Sequence, residues 1–149
     1  MNKVFLGIDP DVDKSGFAYW SGETLKLRNL SFFDLLQAIK DAVPTLVLLE
    51  AGWLNKDSRH AMRSFGASYN SRIGERVGRN HQVGILIAEF LEREGIPHEL
   101  IRPTKHKIKS NVTFCEFVKH KFSRSNQDQR DAAMLIRNHS VYLEHLRKV

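Results

Sequence analysis

Lys3-Val4-Phe5-Leu6-Gly7-Ile8-Asp9 is a continuous β-favouring run that ends in a carboxylate. A strand without polar alternation is one buried on both faces, so this one belongs inside a sheet that is covered on both sides. Asp11, Asp13, Ser15 and Gly16 then supply turn chemistry. Gly16-Phe17-Ala18-Tyr19-Trp20 reads as a second strand closed by a Ser21-Gly22 hairpin turn, and Leu25, Leu27 and Arg28 suit a third. Strands joined this tightly run as an antiparallel meander.

Working outward, Ser31 has the place of a helix N-cap, with Asp34 at the third helical position and Leu30 and Leu35 spaced as a hydrophobic staple. Leu35, Leu36, Ile39 and Val43 keep helical spacing up to Pro44, which stops the helix. Residues 45–50 form another buried strand, reached by a crossover. From Ala51 to about Arg72 there is no clean period, and the stretch reads as a long loop with one helical turn at most. A helix is expected over 73–94, with Val77, Ile85, Ala88 and Leu91 buried. Gly74, Gly78 and Gly84 weaken it by roughly 1 kcal/mol each unless something packs closely there. Gly95-Ile96-Pro97 ends that helix, and His98–Arg102 is the fifth strand. Lys105, His106, Lys107 and Lys109 make a basic connector. Asn111 then caps a short helix that turns Phe114, Phe117, Val118 and Phe122 inward. The last helix is expected over 127–146, with Ala132, Leu135, Ile136, Leu143 and Leu146 facing the core. The order β-β-β-α-β-α-β-α-α describes an α/β domain over residues 1–149. Its five-stranded mixed sheet combines an antiparallel meander with parallel strands and is flanked by helices.

The net charge of +6 and pI near 9.6 favour a polyanionic partner, nucleic acid or an anionic membrane surface. No apolar run approaches the ~20 residues of a spanning helix, so no membrane role is expected. The single cysteine, Cys115, excludes an internal disulfide and a cysteine-based zinc site, and a cytoplasmic location follows as the default.

Against that basic background four acids stand out. Asp9 ends the first buried strand and Glu50 the fourth, while Asp128 and Asp131 open the last helix. Acids at the ends of buried strands cost free energy unless a cation neutralises them. All-oxygen donors point to Mg²⁺, with Mn²⁺ as a substitute. Asp128 and Asp131 lie four residues before Ala132 and Leu135, so both share the apolar face of the helix. Their place in the first turn also complements the helix dipole, which is the purely structural alternative for that pair.

Gly7-Ile8-Asp9-Pro10 followed by Ser15-Gly16-Phe17-Ala18 resembles the first motif of RuvC-type Holliday-junction resolvases, within the RNase H-like superfamily. Glu50 matches the glutamate that ends that family's fourth strand. Asp128-Gln129-Arg130-Asp131-Ala132-Ala133-Met134-Leu135-Ile136 is similar to its last motif, and Val77-Gly78-Arg79-Asn80-His81-Gln82-Val83-Gly84-Ile85 to its glycine-led helix. Asp11 departs from the family, which usually has glycine after Asp-Pro. The stretch from Asp9 to Glu50 is also shorter than in typical bacterial members.

The resemblance implies a metal-dependent endodeoxyribonuclease that resolves four-way DNA junctions as a homodimer. Asp9 would be the central, bridging ligand, with Glu50, Asp128 and Asp131 completing the set around two metal ions. It further implies that Lys105 acts near the scissile phosphate and that Trp53 is an aromatic wedge against DNA. Lys56, Arg59, Arg63, Arg72, Arg76, Arg79, Lys105 and Lys107 are the candidates for phosphate contacts. A catalytically inactive junction-binding protein and a nuclease for other branched DNA or for RNA remain the alternatives.

Overall fold

β1 (Phe5–Asp9) lies in the middle of the sheet, as its unbroken apolar run requires. The computed structural model describes residues 3–55 and 67–139. Along the chain β1 is followed by β2 (Ser15–Trp20), β3 (Leu25–Leu30), α1 (Phe32–Ala42), β4 (Leu46–Glu50) and a 3-10 turn (Gly52–Leu54). Then come α2 (Ala67–Arg93), β5 (His98–Ile101), α3 (Asn111–Val118) and α4 (Gln127–Asn138). The strand order is β3-β2-β1-β4-β5. β1–β2 and β2–β3 are antiparallel, whereas β4 runs parallel to both β1 and β5. This is the expected α/β architecture.

Strand parity divides the core into two layers. Leu6, Ile8, Val47 and Leu49 face α1 and α2, where Leu35, Ile39, Ile87 and Leu91 are fully buried. Phe5 and Leu48 face the other way, against Phe114 and Val118 of α3 and Ala132, Ala133 and Ile136 of α4. Asp9 and Glu50 continue this second parity, so the pleat alone aims both acids at the α4 face.

Several local expectations change. α2 begins at Ala67, earlier than 73, so part of the stretch read as loop is helical. Residues 67–72, Ala-Ser-Tyr-Asn-Ser-Arg, are mostly polar and carry no apolar stripe to signal a helix. Ile87 rather than Ile85 is buried: Ile85 is 40% exposed, and the inward stripe is Gly84, Ile87 and Leu91. α1 ends at Ala42, with Val43 left-handed at φ 46° ahead of Pro44. Ser31 is its N-cap by position, but its hydroxyl donates to Asp34 Oδ2 at 3.0 Å instead of accepting from the helix backbone. Ser110 caps α3 in place of Asn111, whose amide donates to the Phe122 carbonyl at 2.9 Å. Phe117 is 44% exposed, and Phe122 lies beyond the helix end. β5 stops at Ile101, one residue short of Arg102. Lys56, Arg59, Arg63, Leu143 and Leu146 lie outside the described residues. Among the described residues no helix is long and apolar enough to cross a membrane.

Candidate metal centre

Two glycines bring α4 onto the sheet. A Cβ on Gly7 would lie 2.0 Å from the Ala132 carbonyl oxygen, and one on Gly16 would lie 2.1 Å from that of Asp128. Gly7 and Gly16 are therefore needed for close backbone approach, since neither has a positive φ. The first turn of α4 thus sits directly over the ends of β1 and β2, where Asp9 pairs with Gly16. Asn126 caps that turn by accepting from Gln129 N at 2.9 Å, and the Gln129 side chain returns to Asn126 N at 3.0 Å. This reciprocal capping box sets where the helix starts, and hence where its acids lie.

Asp9, Glu50 and Asp131 each offer one carboxylate oxygen, and these atoms all lie within 4.8 Å of one another. Asp128 stands beside Asp9 and hydrogen-bonds to it. Burial, then the hydrogen bond and charge of Glu50, then the charges of Asp128 and Asp131 push the Asp9 carboxyl from 3.8 up to about 10. Asp128 is raised as well, by burial first and then by the charge of Asp11. Hard oxygen donors at this spacing, too crowded with negative charge to ionise together, fit Mg²⁺ or Mn²⁺. Asp9, Glu50 and Asp131 would hold such an ion, with Asp128 alongside.

A raised folded-state pKa contributes stability at low pH that is lost as pH rises towards the folded value. The metal-free protein should therefore become less stable as pH rises between about 4 and 10, because the unfolded chain releases the Asp9 proton near 3.8 whereas the folded site holds it up to about 10. A divalent cation replaces that proton, so Mg²⁺ or Mn²⁺ should raise the melting temperature more at pH 9 than at pH 6. Thermal denaturation in EDTA and in each metal measures both trends. A flat profile without a metal shift would contradict this assignment.

Lys107 lies within the centre. Its ammonium donates to Glu50 Oε1 at 3.1 Å and to Asp131 Oδ2 at 2.9 Å. Burial alone would lower its pKa, but the charges and hydrogen bonds of Glu50 and Asp131 outweigh this and hold it above the usual lysine range. Lys105, expected near the reacting phosphate, is exposed and makes no hydrogen bond or ion pair with the described residues. The lysine that meets the acids is thus the one two positions on, because Ile108, next to Lys107, is tied down. The Ile108 carbonyl accepts from Gln127 Nε2 at 3.1 Å and from Arg130 Nε at 3.0 Å. Arg130, almost fully buried, also donates to the Ser125 carbonyl and hydroxyl and to Gln127 Oε1. Sequence reading missed Gln127 and Arg130. The available signal was that Arg130 lies three residues before Ala133, on the buried face of α4.

The other candidates fall into distinct settings. Arg76, expected at DNA, reaches Asp11 and Asp13 at 3.5 and 3.4 Å. Asn80 accepts from Val12 N at 2.8 Å, so the β1–β2 loop is tied to α2 at two points. Asp11 both builds that loop, accepting from Asp13 N at 2.9 Å, and adds negative charge near Asp128. Arg72 and Arg79 are exposed on α2. A cleft of about 340 Å³ opens beside the acids, lined among others by Asp9, Glu50, Trp53, His81 and Lys107. The Trp53 ring packs against α2, where a Cβ on Gly84 would come within 2.3 Å of it. Gly84 is thus explained by this packing, whereas Gly78 has nothing within 4 Å. His81, which sequence reading left without a role, lies over Gly52 in this cleft, and burial lowers its pKa.

No protein-family model matches the chain. No curated protein matches it either. Among solved structures, T. thermophilus RuvC in complex with a Holliday junction substrate aligns with a TM-score of 0.59 over 95% of each chain, at 13% sequence identity. The five-stranded mixed sheet flanked by helices is therefore the RNase H-like fold of that protein.

Proposed function

We propose that the chain is a divalent-metal-dependent endodeoxyribonuclease that cuts branched DNA, four-way junctions foremost, and works as a homodimer. The observation that carries this reading is the convergence of Asp9 and Glu50, at the carboxyl ends of β1 and β4, with Asp131, just past the first turn of α4, in a basic chain. The likeness to a RuvC bound to a junction supports the choice of DNA. Asp9, Glu50 and Asp131, with Asp128 alongside, would hold divalent metal, which would supply the Lewis acidity for activating a water and neutralising the leaving oxygen.

The chain's own side chains do the rest. Asp9, Glu50, Asp128 and Asp131 provide the negative frame. Lys107 is placed to receive the phosphate next to the bond that breaks. Arg72 and Arg79, exposed on α2, are free to follow the backbone, with the salt dependence that phosphate contacts bring. Trp53 forms one wall of the cleft and meets a base from there. Ile85 and Leu86, 40% and 41% exposed on the outer side of α2, support pairing of two copies there. A two-fold dimer would give a near-symmetric junction two matched active sites.

Incubation of the protein with end-labelled four-way, three-way, duplex and RNA substrates tests this reading, with Mg²⁺, Mn²⁺ or EDTA. The expected result is metal-dependent nicks at matched positions on opposing strands of the four-way junction. Cleavage of RNA in preference to DNA would redirect the substrate. Absence of any cleavage with either metal would overturn the enzyme reading.

A further inference from the structure

We infer that Lys107 is a resident cation that keeps a second divalent ion out of the DNA-free centre until a phosphate draws its ammonium away. The inference rests on the metal-nuclease reading above and deepens it, since it makes metal loading depend on substrate. The ammonium bridges Glu50 Oε1 and Asp131 Oδ2 at 3.1 and 2.9 Å, while Asp131 Oδ1 accepts from Gln127 Nε2 at 2.8 Å. Both oxygens of Asp131 are thus taken within the chain, one of them by a charge. Four carboxylates are nearly neutralised by one divalent ion together with one ammonium. A second divalent ion would leave the centre net positive unless an anionic phosphodiester arrived with it.

The surroundings of Lys107 allow such an exchange. Its neighbour Ile108 is held by Gln127 and Arg130, so the backbone stays in place. The side chain is 33% exposed and lines the cleft that also holds Asp9 and Trp53. A flexible four-carbon stem can therefore carry the ammonium from the carboxylates to a phosphate entering the cleft, with no movement of the fold.

Counting bound Mn²⁺ by paramagnetic resonance tests this directly on the wild type, Lys107→Met, Lys107→Gln and Lys107→Arg. Without DNA, the wild type and Lys107→Arg should bind one ion per chain. Lys107→Met and Lys107→Gln should bind two, the added site tighter than in the wild type by on the order of tenfold or more, since a like charge has gone. Addition of a phosphorothioate four-way junction, with ions bound by the DNA alone subtracted, should bring the wild type to two. Both neutral variants are included so that a folding defect in one leaves the other to decide, with far-ultraviolet circular dichroism as the check. Equal counts in the wild type and the neutral variants without DNA would overturn the inference. So would a wild-type count that stays at one on the junction. If no protein of the set binds Mn²⁺, the metal centre itself falls. If the counts are as stated yet no DNA is cut, the nuclease reading fails and the role of Lys107 stands.

Discussion

Asp9→Asn should abolish junction cleavage, by more than about 10³-fold, while leaving junction affinity within a few-fold of wild type. The amide keeps the shape of the carboxylate at the end of β1 but removes the charge on which Glu50, Asp128 and Asp131 converge. Stability should move in the opposite direction. The Asp9 carboxyl is pushed up to about 10 by burial first, then by Glu50, and then by Asp128 and Asp131. Replacing it with a neutral group relieves that conflict, so the metal-free variant should melt at a higher temperature than the wild type at pH 8. Glu50→Gln and Asp131→Asn should lose cleavage similarly, but each also loosens Lys107 and should not gain stability to the same degree. Single-turnover cleavage, gel-shift titration and thermal melting of the variants together make the measurement. A cleaving Asp9→Asn protein would remove Asp9 from the centre, and a destabilised one would assign it a structural role instead.

Gly16→Ala should damage both the fold and the activity. Its Cβ would lie 2.1 Å from the Asp128 carbonyl oxygen and 2.4 Å from the carbonyl carbon, and backbone of a capped helix turn cannot yield as a flexible side chain would. α4 must lift or slide, at a cost of about 3 kcal/mol or more, because overpacking against backbone lies at the upper end of such penalties. The displaced turn carries Asp128 and leads directly into Asp131, so cleavage per folded molecule should also fall. Gly78→Ala is the matched control. With nothing within 4 Å of the added Cβ, it should stabilise α2 by up to ~1 kcal/mol. Urea unfolding of both variants beside a cleavage assay separates the two glycines. Wild-type stability in Gly16→Ala would show that the helix does not rest on β2 as described.

The two acidic strand ends and the acidic helix start were legible because each follows from a short-range pattern. A buried run that stops at a carboxylate sets Asp9 and Glu50 on one parity, and i to i+4 spacing turns Asp128 and Asp131 towards the sheet. The glycines of the first motif were visible as residues, but their purpose was not. Only the distance to the α4 carbonyls shows that backbone approach, rather than turn conformation, requires them. Lys107 was harder to distinguish from Lys105, since a run of basic residues carries no period. What selects between them is a carbonyl one residue away, held by Gln127 and Arg130. Arg76 illustrates the reverse case: its charge suggested DNA, but its nearest partners are Asp11 and Asp13. Ile85 was misplaced by two positions because glycines in α2 blur the phase of its apolar stripe.

The acids that converge come from opposite ends of the chain, with Asp9 and Glu50 in the first third and Asp131 on the last described helix. During synthesis, a chain that has not yet produced α4 holds two of these three acids and leaves uncovered the part of the sheet on which α4 packs. It has no closed centre in which to hold a metal. If the centre cleaves DNA as proposed, that power would arrive late and all at once, when α4 docks on the sheet. On the proposed nuclease reading, order of assembly would itself be a safeguard: an unfinished copy is an aggregation hazard, but not a nuclease.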